Sequence, residues 1–538
     1  MLVRFLAYCV DWAAGTRLAV RVHLDGLRAD PAAYCSAARW WLLGKRLRAR
    51  GQLAPLLSQS PGAYGIWLRR AARQPALPSP GDPARPIIAL VDGNGPQDAL
   101  GQTLASLVAD AVLPIVLPAQ AGPRLAALAR LDWAASPWLL PMQAGDRLAP
   151  GAAAAYRAAM AQTTASVIYA DDDLIDGLGR RHSPHFKPDW NRELFRHHDY
   201  LSGAAIIRAG PDALMAVAGQ DDWAARLVAG AVAEGGAHHV RGVLHHRVAR
   251  PPVPALPPPL VIAAELPPVS VIVPTRNRLE LLRTCLAGVA AAAYPDIELI
   301  VVDNGSDDPA TLAFLAAQDP ARVRVLRQPG PFNYSALNNR AVAMARGRLL
   351  CLLNNDVEMR SPDWLAIMAT QALRPDVGAV GAQLLYPDGR IQHAGVVIGV
   401  GNAAGHAHRL VPPQAPGYFR RHALPQFTMA VTAACLVVAR ERFLAVGGLD
   451  EANFPIAFND VDLCLRLNRR GWQSLYEPRA VLIHHESVSR GDDRDPVGAA
   501  RLAGEIAALQ RLWHTDRVVD PFHHPQLSRA SEQFVVAL

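Results

Sequence analysis

Apolar residues recur at three- and four-residue intervals along the first 80 positions, in Ala-, Leu- and Arg-rich stretches with few strand signals, and this spacing predicts helices. At "RPIIALVDGNG", from residue 85, the pattern changes to short apolar runs closed by polar clusters and separated by helical stretches. "VLPIVLPAQAG", "SPWLLPMQAGD" and "ASVIYADDD" read as further strands of an α/β unit. The stretch "RPPVPALPPPLVIAAELPP" (250–268) is too rich in proline for a helix or a central strand and reads as a stiff linker. Alternation then resumes: strand "VSVIVPTRN", helix "RLELLRTCLAGVAAAA", strand "IELIVVDNGSDD", a helix from Pro309, strand "RVRVLRQ", helix "SALNNRAVAMARG" and strand "LLCLLNNDVEM". The expected organisation is a helical segment (1–80), an α/β domain (85–249), the linker (250–268), a second α/β domain (269–515) and a tail (516–538).

The two α/β units echo each other. "VLHH" (243–246) closes the first much as "VLIHH" (481–485) closes the second, and Asp221 precedes His245 by the same spacing as Asp460 precedes His484. Internal duplication is the expectation.

Composition narrows the setting. Asp, Glu, Lys or Arg interrupts every apolar run before the roughly 18 residues that a membrane span needs, so no transmembrane helix is expected. The N-terminal "MLVRFLAYCVDWAAGTRLAVRV" meets Asp11 and Arg17 too soon for a signal peptide. Six cysteines without CxxC pairs read as buried thiols, and the expected location is the cytoplasm. A formal charge of +7 spread over 538 residues forms no nucleic-acid-like tract, so nucleic acid is not expected as a partner. "WWLLGKRLRAR" (40–50) sets two tryptophans and a leucine pair beside four basic residues. Two readings stay open: peripheral contact with the inner membrane surface, or a helix end packed on its own protein.

In a parallel α/β sheet the ligand crevice lies at the carboxyl ends of the strands. Three strand ends of the second unit carry polar clusters there: "PTRN" (274–277), "DNGSDD" after "LIVV", and "NNDVE" (354–358). Asp303 can accept hydrogen bonds from a base or ribose, or it can open an Asx turn with Asn304 and Gly305.

Together with "NYSALNNRAVAMARGRLLCLLNNDVEM", "FNDVDLCLRLNRRGW", "VLIHHESVSRG" and "DPFHHPQLS", these residues resemble the family 2 glycosyltransferases, especially tandem-domain, rhamnosyltransferase-like members that build bacterial surface polysaccharides. "YADDDLIDGLGRRHSPHFKPDW" in the first unit is similar to their leading domain. The resemblance implies two GT-A-like (Rossmann-type) domains in tandem. It also implies inverting sugar transfer from a nucleotide-diphosphate donor to a growing glycan or lipid-linked glycan, with Mg²⁺ or Mn²⁺. Carried over residue by residue, it makes Pro274, Thr275, Arg276, Asn277, Asp303, Asn338, Asn354 and Asn355 the donor contacts. A thymidine or uridine donor fits the rhamnosyltransferase likeness.

A departing diphosphate needs positive charge beside it, which a divalent ion supplies. Where the family has Asp-x-Asp this chain has Asn354-Asn355-Asp356, so Asp356 is the remaining carboxylate for the metal. The histidine ligand is His484 or His485; strand alternation sends them to opposite faces, and the resemblance implies His484, whose five-residue spacing to Ser489 suits the family's histidine. Inversion needs one base on the acceptor side. In a helical "FNDVDLCLRL", Asp460 and Asp462 lie about 200° apart, and Arg466 stands one turn from Asp462 as a local ion-pair partner. Asp460, which matches the family's base position, is the expected base, with Asn459 where glutamate is usual. Trp364, Gly381, Asp388, "QHAG" (392–395) and "AACLVVARE" (433–441) are expected to shape the acceptor groove.

The first unit is expected to be degenerate. Pro118 stands where Asp303 would, and Gly145 stands where Asp356 would, with Asp146 one place late. Two other classes compete with the transferase: a nucleotidyltransferase, for which "VPTRNRLE" lacks the phosphate-loop glycines, and a noncatalytic glycan-binding or scaffold protein descended from a transferase.

Overall fold

The computed structural model describes residues 2–73, 86–485 and 496–538, with side chains from residue 15 onward. Four helices open the chain: α1 (Leu2–Ala29), α2 (Pro31–Leu42), α3 (Arg46–Ser58) and α4 (Ala63–Ala71). Asp30 accepts from the Ala33 amide and Pro31 fills the first turn, which fixes where α2 starts. Gly44, at φ +75°, turns the chain between α2 and α3.

The first α/β body holds β1 (Ile87–Asp92), β2 (Leu113–Leu117), β3 (Trp138–Gln143), β4 (Arg147–Leu148), β5 (Val167–Ile175), β6 (Arg181–His185), β7 (Ala205–Ile207) and β8 (Ala237–Arg247). The second begins with β9 (Val269–Thr275), β10 (Ile297–Asp303), β11 (Val323–Arg327), β12 (Leu349–Leu353), β13 (Val357–Met359), β14 (Val377–Leu385) and β15 (Ile391–His393). It continues with β16 (Val396–Ile398), β17 (Ala404–His406), β18 (Gln426–Thr428), β19 (Cys435–Ala439) and β20 (Gln473–His484). The central strand β9, "VSVIVPT", is buried along its whole length, which accounts for its near-continuous apolar run.

The sheet orders are β2-β1-β3-β7-β5-β8-β4 and β11-β10-β9-β12-β19-β14-β20-β13. Setting aside the outer β11, the two match strand for strand. Directions match as well: β1 is parallel to β2 and β3 as β9 is to β10 and β12. Strand β7 runs against β3 and β5 as β19 runs against β12 and β14. The likeness between the units is therefore far deeper than the short "VLHH" echo.

Residues 250–268 contain no helix or strand. The two bodies are nonetheless joined directly. The Asn191 side-chain amide donates to the Phe427 carbonyl (2.8 Å), the Phe186 amide to the Tyr418 hydroxyl (2.9 Å), and Arg374 pairs with buried Glu193 (2.8 Å). The stretch after residue 515, read from sequence as a tail, is wedged among the other parts. The Asp189 amide donates to the Pro521 carbonyl (2.8 Å), the Trp67 indole to Gln526 (2.8 Å), and the Ile398 amide to Asp520 (2.8 Å). Cys35 is exposed, against the expectation of buried thiols, because it lies on the outer side of α2; Cys285, Cys351, Cys435 and Cys464 are buried and free. Among the described residues no helix is long and apolar enough to cross a membrane.

Candidate active site

A cavity of 310 Å³ opens at the carboxyl ends of β9 and β12. Pro274, Thr275, Arg276, Asn354, Asn355, Asp460 and His484 all line it, so residues spread over 210 positions meet in one place. The βα loop after β9 is strained: Asn277 and Arg278 take φ +54° and +56°. Asn355 donates to the Thr275 hydroxyl (3.0 Å), tying the ends of β9 and β12 together.

His484, on one wall, has its Nε2 3.1 Å from Oδ1 of Asp356, which is buried and does not itself line the cavity, and 3.2 Å from Asn354 Nδ2. Behind it, Gln392 Oε1 accepts from His484 Nδ1 at 2.7 Å. That hydrogen bond puts the ring proton on Nδ1 and leaves Nε2 an acceptor, taking a hydrogen bond from the Asn354 amide and lying beside the Asp356 carboxylate. Two electron-pair donors facing each other at this distance, with an amide beside them, fit a divalent cation of the Mg²⁺ or Mn²⁺ type. His485 points away and meets Glu358 at 3.5 Å. Ser489, used to choose between the two histidines, lies outside the described residues.

Across the cavity, Phe458 at φ +59° leads into the helix Asn459–Arg469, which carries Asp460 at its first turn. Asp460 Oδ2 accepts from the Ala433 amide (2.9 Å) and is half-buried. Asp462 is turned inward, pairing with Arg466 (2.7 Å) and accepting from the Trp513 indole (2.9 Å). Asn459 donates to the Ile456 carbonyl (2.7 Å) and also lines the cavity.

Several sequence-predicted residues do not reach the cavity. Asp303 is buried, accepts from the Ser306 amide (2.8 Å) and faces Arg327 (3.6 Å), the turn-forming alternative rather than a base contact. Asn277 spends its amide on Asp307 and on the Asp307 and Asp308 backbone. Asn338 lies one helical turn below Tyr334, fully buried, and donates to the Tyr334 carbonyl (2.8 Å). Of the expected groove residues, Trp364 is fully buried in the core, and a Cβ at Gly381 would meet Val431 at 2.4 Å, so both serve packing. Asp388 pairs with Arg390 on an exposed turn. Gln392, Ala433 and Ala434 do line the cavity.

Sequence reading missed Phe332, Tyr334, His406, Thr432, Ile456 and Arg501. His406 had a signal, because the "QHAG" stretch supplies its partner His393 (2.8 Å). Arg501 had none, since it comes from the helix Pro496–Trp513 far along the chain. Its neighbour Glu505 accepts from the Ile456 and Ala457 amides (2.8 and 2.9 Å) and so holds the loop that leads to Asp460.

The corresponding region of the first body is filled by its own charges. Asp146, which precedes β4 as Asp356 precedes β13, meets Arg247 at 4.0 Å. Burial pushes its carboxyl up to about 6. Asp172 pairs with Lys187 (2.8 Å) and Arg250; burial opposes ionisation, yet these cations hold the carboxyl well below its usual range. His245 is buried against the Tyr156 hydroxyl (2.6 Å), and Asp221 is exposed at the head of the helix Trp223–Gly235, so their matched spacing does not make a matched site.

Residues 270–427 match the family described as "Glycosyl transferase family 2". This chain carries a glycosyl transferase family 2 domain. The matched stretch runs from β9 into β18 and stops short of Asp460 and His484, which the fold brings to the same cavity. The chain is 41% identical over 424 residues to uncharacterized protein y4gI of Sinorhizobium fredii, covering 70% of this chain and 47% of that protein. It is 34% identical over 413 residues to O-antigen biosynthesis protein RfbC of Myxococcus xanthus, covering 69% and 32%. Over 231 residues it is 29% identical to an N-acetylglucosaminyl-diphospho-decaprenol L-rhamnosyltransferase of Mycobacterium tuberculosis, covering 39% of this chain and 73% of that enzyme. The chain thus spans less than half the length of the first two relatives.

Proposed function

We propose that the second body transfers a sugar, with inversion, from a nucleotide-diphosphate donor to a hydroxyl of a growing cell-surface glycan of O-antigen or capsule type. The observation that carries this reading is the meeting of Thr275, Arg276, Asn354, Asn355, Asp460 and His484 on one cavity. Thr275, Arg276 and the two asparagines offer hydrogen bonds and one positive charge to a nucleotide sugar. Asp356 and His484 would hold Mg²⁺ or Mn²⁺, which, when bound, neutralises charge building on the departing diphosphate. Asp460, anchored by the Ala433 amide, keeps its carboxylate at the opposite wall, placed to take the proton of the attacking hydroxyl. The likeness to a protein named as a rhamnosyltransferase acting on a diphospho-decaprenol acceptor supports a deoxyhexose donor and a lipid-linked acceptor. The proposed location is the cytoplasm, at the inner face of the membrane.

The first body serves in this reading as a domain without transfer of its own, its counterpart site occupied by Arg247, Lys187 and Arg250. Incubation of the full chain with labelled nucleotide-diphosphate sugars, Mn²⁺ and a lipid-linked acceptor tests the proposal. Transfer that disappears in Asp460→Asn while donor binding persists supports it. Donor or glycan binding without transfer or hydrolysis under any donor would favour the noncatalytic alternative.

A further inference from the structure

The turn between α2 and α3 presents Trp41, Leu42, Leu43 and Leu47 to solvent, at 40%, 86%, 57% and 46% exposure. Every residue from Trp41 to Arg48 is exposed. Leu42 and Leu43, consecutive at the tip of this helical hairpin, leave most of their surface in solvent. Lys45, Arg46, Arg48 and Arg50 flank them, and between Pro31 and Gly81 the sequence has eight basic residues and no acidic one, against +7 for the whole chain. Lys45, Arg46, Arg48 and Arg50 thus set positive charge beside Leu42, the most exposed leucine among the described residues.

We propose that this hairpin is a membrane-docking surface for anionic phospholipid, with Leu42 and Leu43 entering the headgroup boundary and the basic residues meeting phosphates. Charge complementarity selects this occupant. A second copy of the chain would bring like charge against like charge. Nucleic acid would need open aromatic faces for stacking, whereas Arg46 and Arg48 already cover Trp41 and Trp40 at 4.0 Å. Tip orientation is fixed, because Tyr64 and Trp67 on α4 are bonded to Asp173 of the first body and to Gln526. Docking goes beyond the transfer reaction and is measured without donor or acceptor.

The test is co-sedimentation of the full chain with vesicles of phosphatidylcholine alone or with roughly 30% phosphatidylglycerol. Binding is expected on the anionic vesicles only, with a blue shift of tryptophan emission. The double variant Leu42→Asp/Leu43→Asp and the charge reversal Lys45→Glu/Arg46→Glu/Arg48→Glu should each lower partitioning by roughly tenfold or more, with unchanged thermal midpoints. Absence of wild-type binding, or equal binding by the leucine variant, would overturn the proposal. So would binding to an oligonucleotide in the same salt that falls with the same variants.

Discussion

Asp356 and His484 stand 3.1 Å apart with Gln392 fixing the imidazole from behind, and the chemistry of the proposed site depends on keeping that arrangement. Replacing Asp356 by Ala removes the carboxylate beside His484. Turnover should fall by roughly three orders of magnitude, and Mn²⁺ affinity measured by titration calorimetry should fall with it. Full activity would refute the metal assignment. Asp460 and Asp462 separate by role: Asp460→Asn should abolish transfer while sparing donor affinity, whereas Asp462→Asn breaks a buried pair with Arg466 and should cost about 3 kcal/mol of stability. The measurement is kcat against the thermal midpoint for both variants; the reverse pattern would exchange their roles. At this scale the sequence was only partly legible. Helical geometry separated the two aspartates, because 3.6-residue periodicity is local. It could not decide between the turn and the ligand contact for Asp303 or tell that Asn338 faces the core, since which polar group faces a cavity depends on packing from distant strands.

At the scale of elements, the helix Pro496–Trp513 reaches the cavity with Arg501 and clamps the loop before Asp460 with Glu505. Glu505→Ala leaves the Ile456 and Ala457 amides without their acceptor in a buried setting. A loss of about 2–3 kcal/mol in stability is expected, with kcat falling more than donor affinity because the base loses its footing. Chemical denaturation and steady-state kinetics on the one variant read both effects. Strands of both bodies could be read from the sequence because buried parallel strands are short continuous apolar runs between turn residues. The identity of sheet order was beyond it: pairing such as β5 with β8 joins segments about 70 residues apart, and no local pattern encodes a neighbour at that distance.

For the whole molecule, the wedge of residues 516–538 sets a pH response. Burial pushes the Asp520 carboxyl up to about 6, although it accepts from the Ile398 and Phe522 amides at 2.8 Å each. A carboxyl raised in the folded state binds protons more tightly there than in the unfolded chain. Its contribution is therefore present at low pH and lost as pH rises from about 4 through 6. Against Asp520→Asn, the wild type should lose about 2–3 kcal/mol across that window. Denaturation of the pair at several pH values checks the slope; parallel curves would show that the carboxyl is not raised.

The same wedge carries a consequence for the order in which the protein is made. Buried Asp171, on β5, takes one of its histidine partners, His524, from the far end of the chain, and Trp67 waits for Gln526. A ribosome releases the first body long before either partner exists. That body must therefore emerge with a hole in its wall and a carboxylate lacking one of its imidazoles, and it is completed only after the second body has been synthesised. Residues made after the second body thus complete the first.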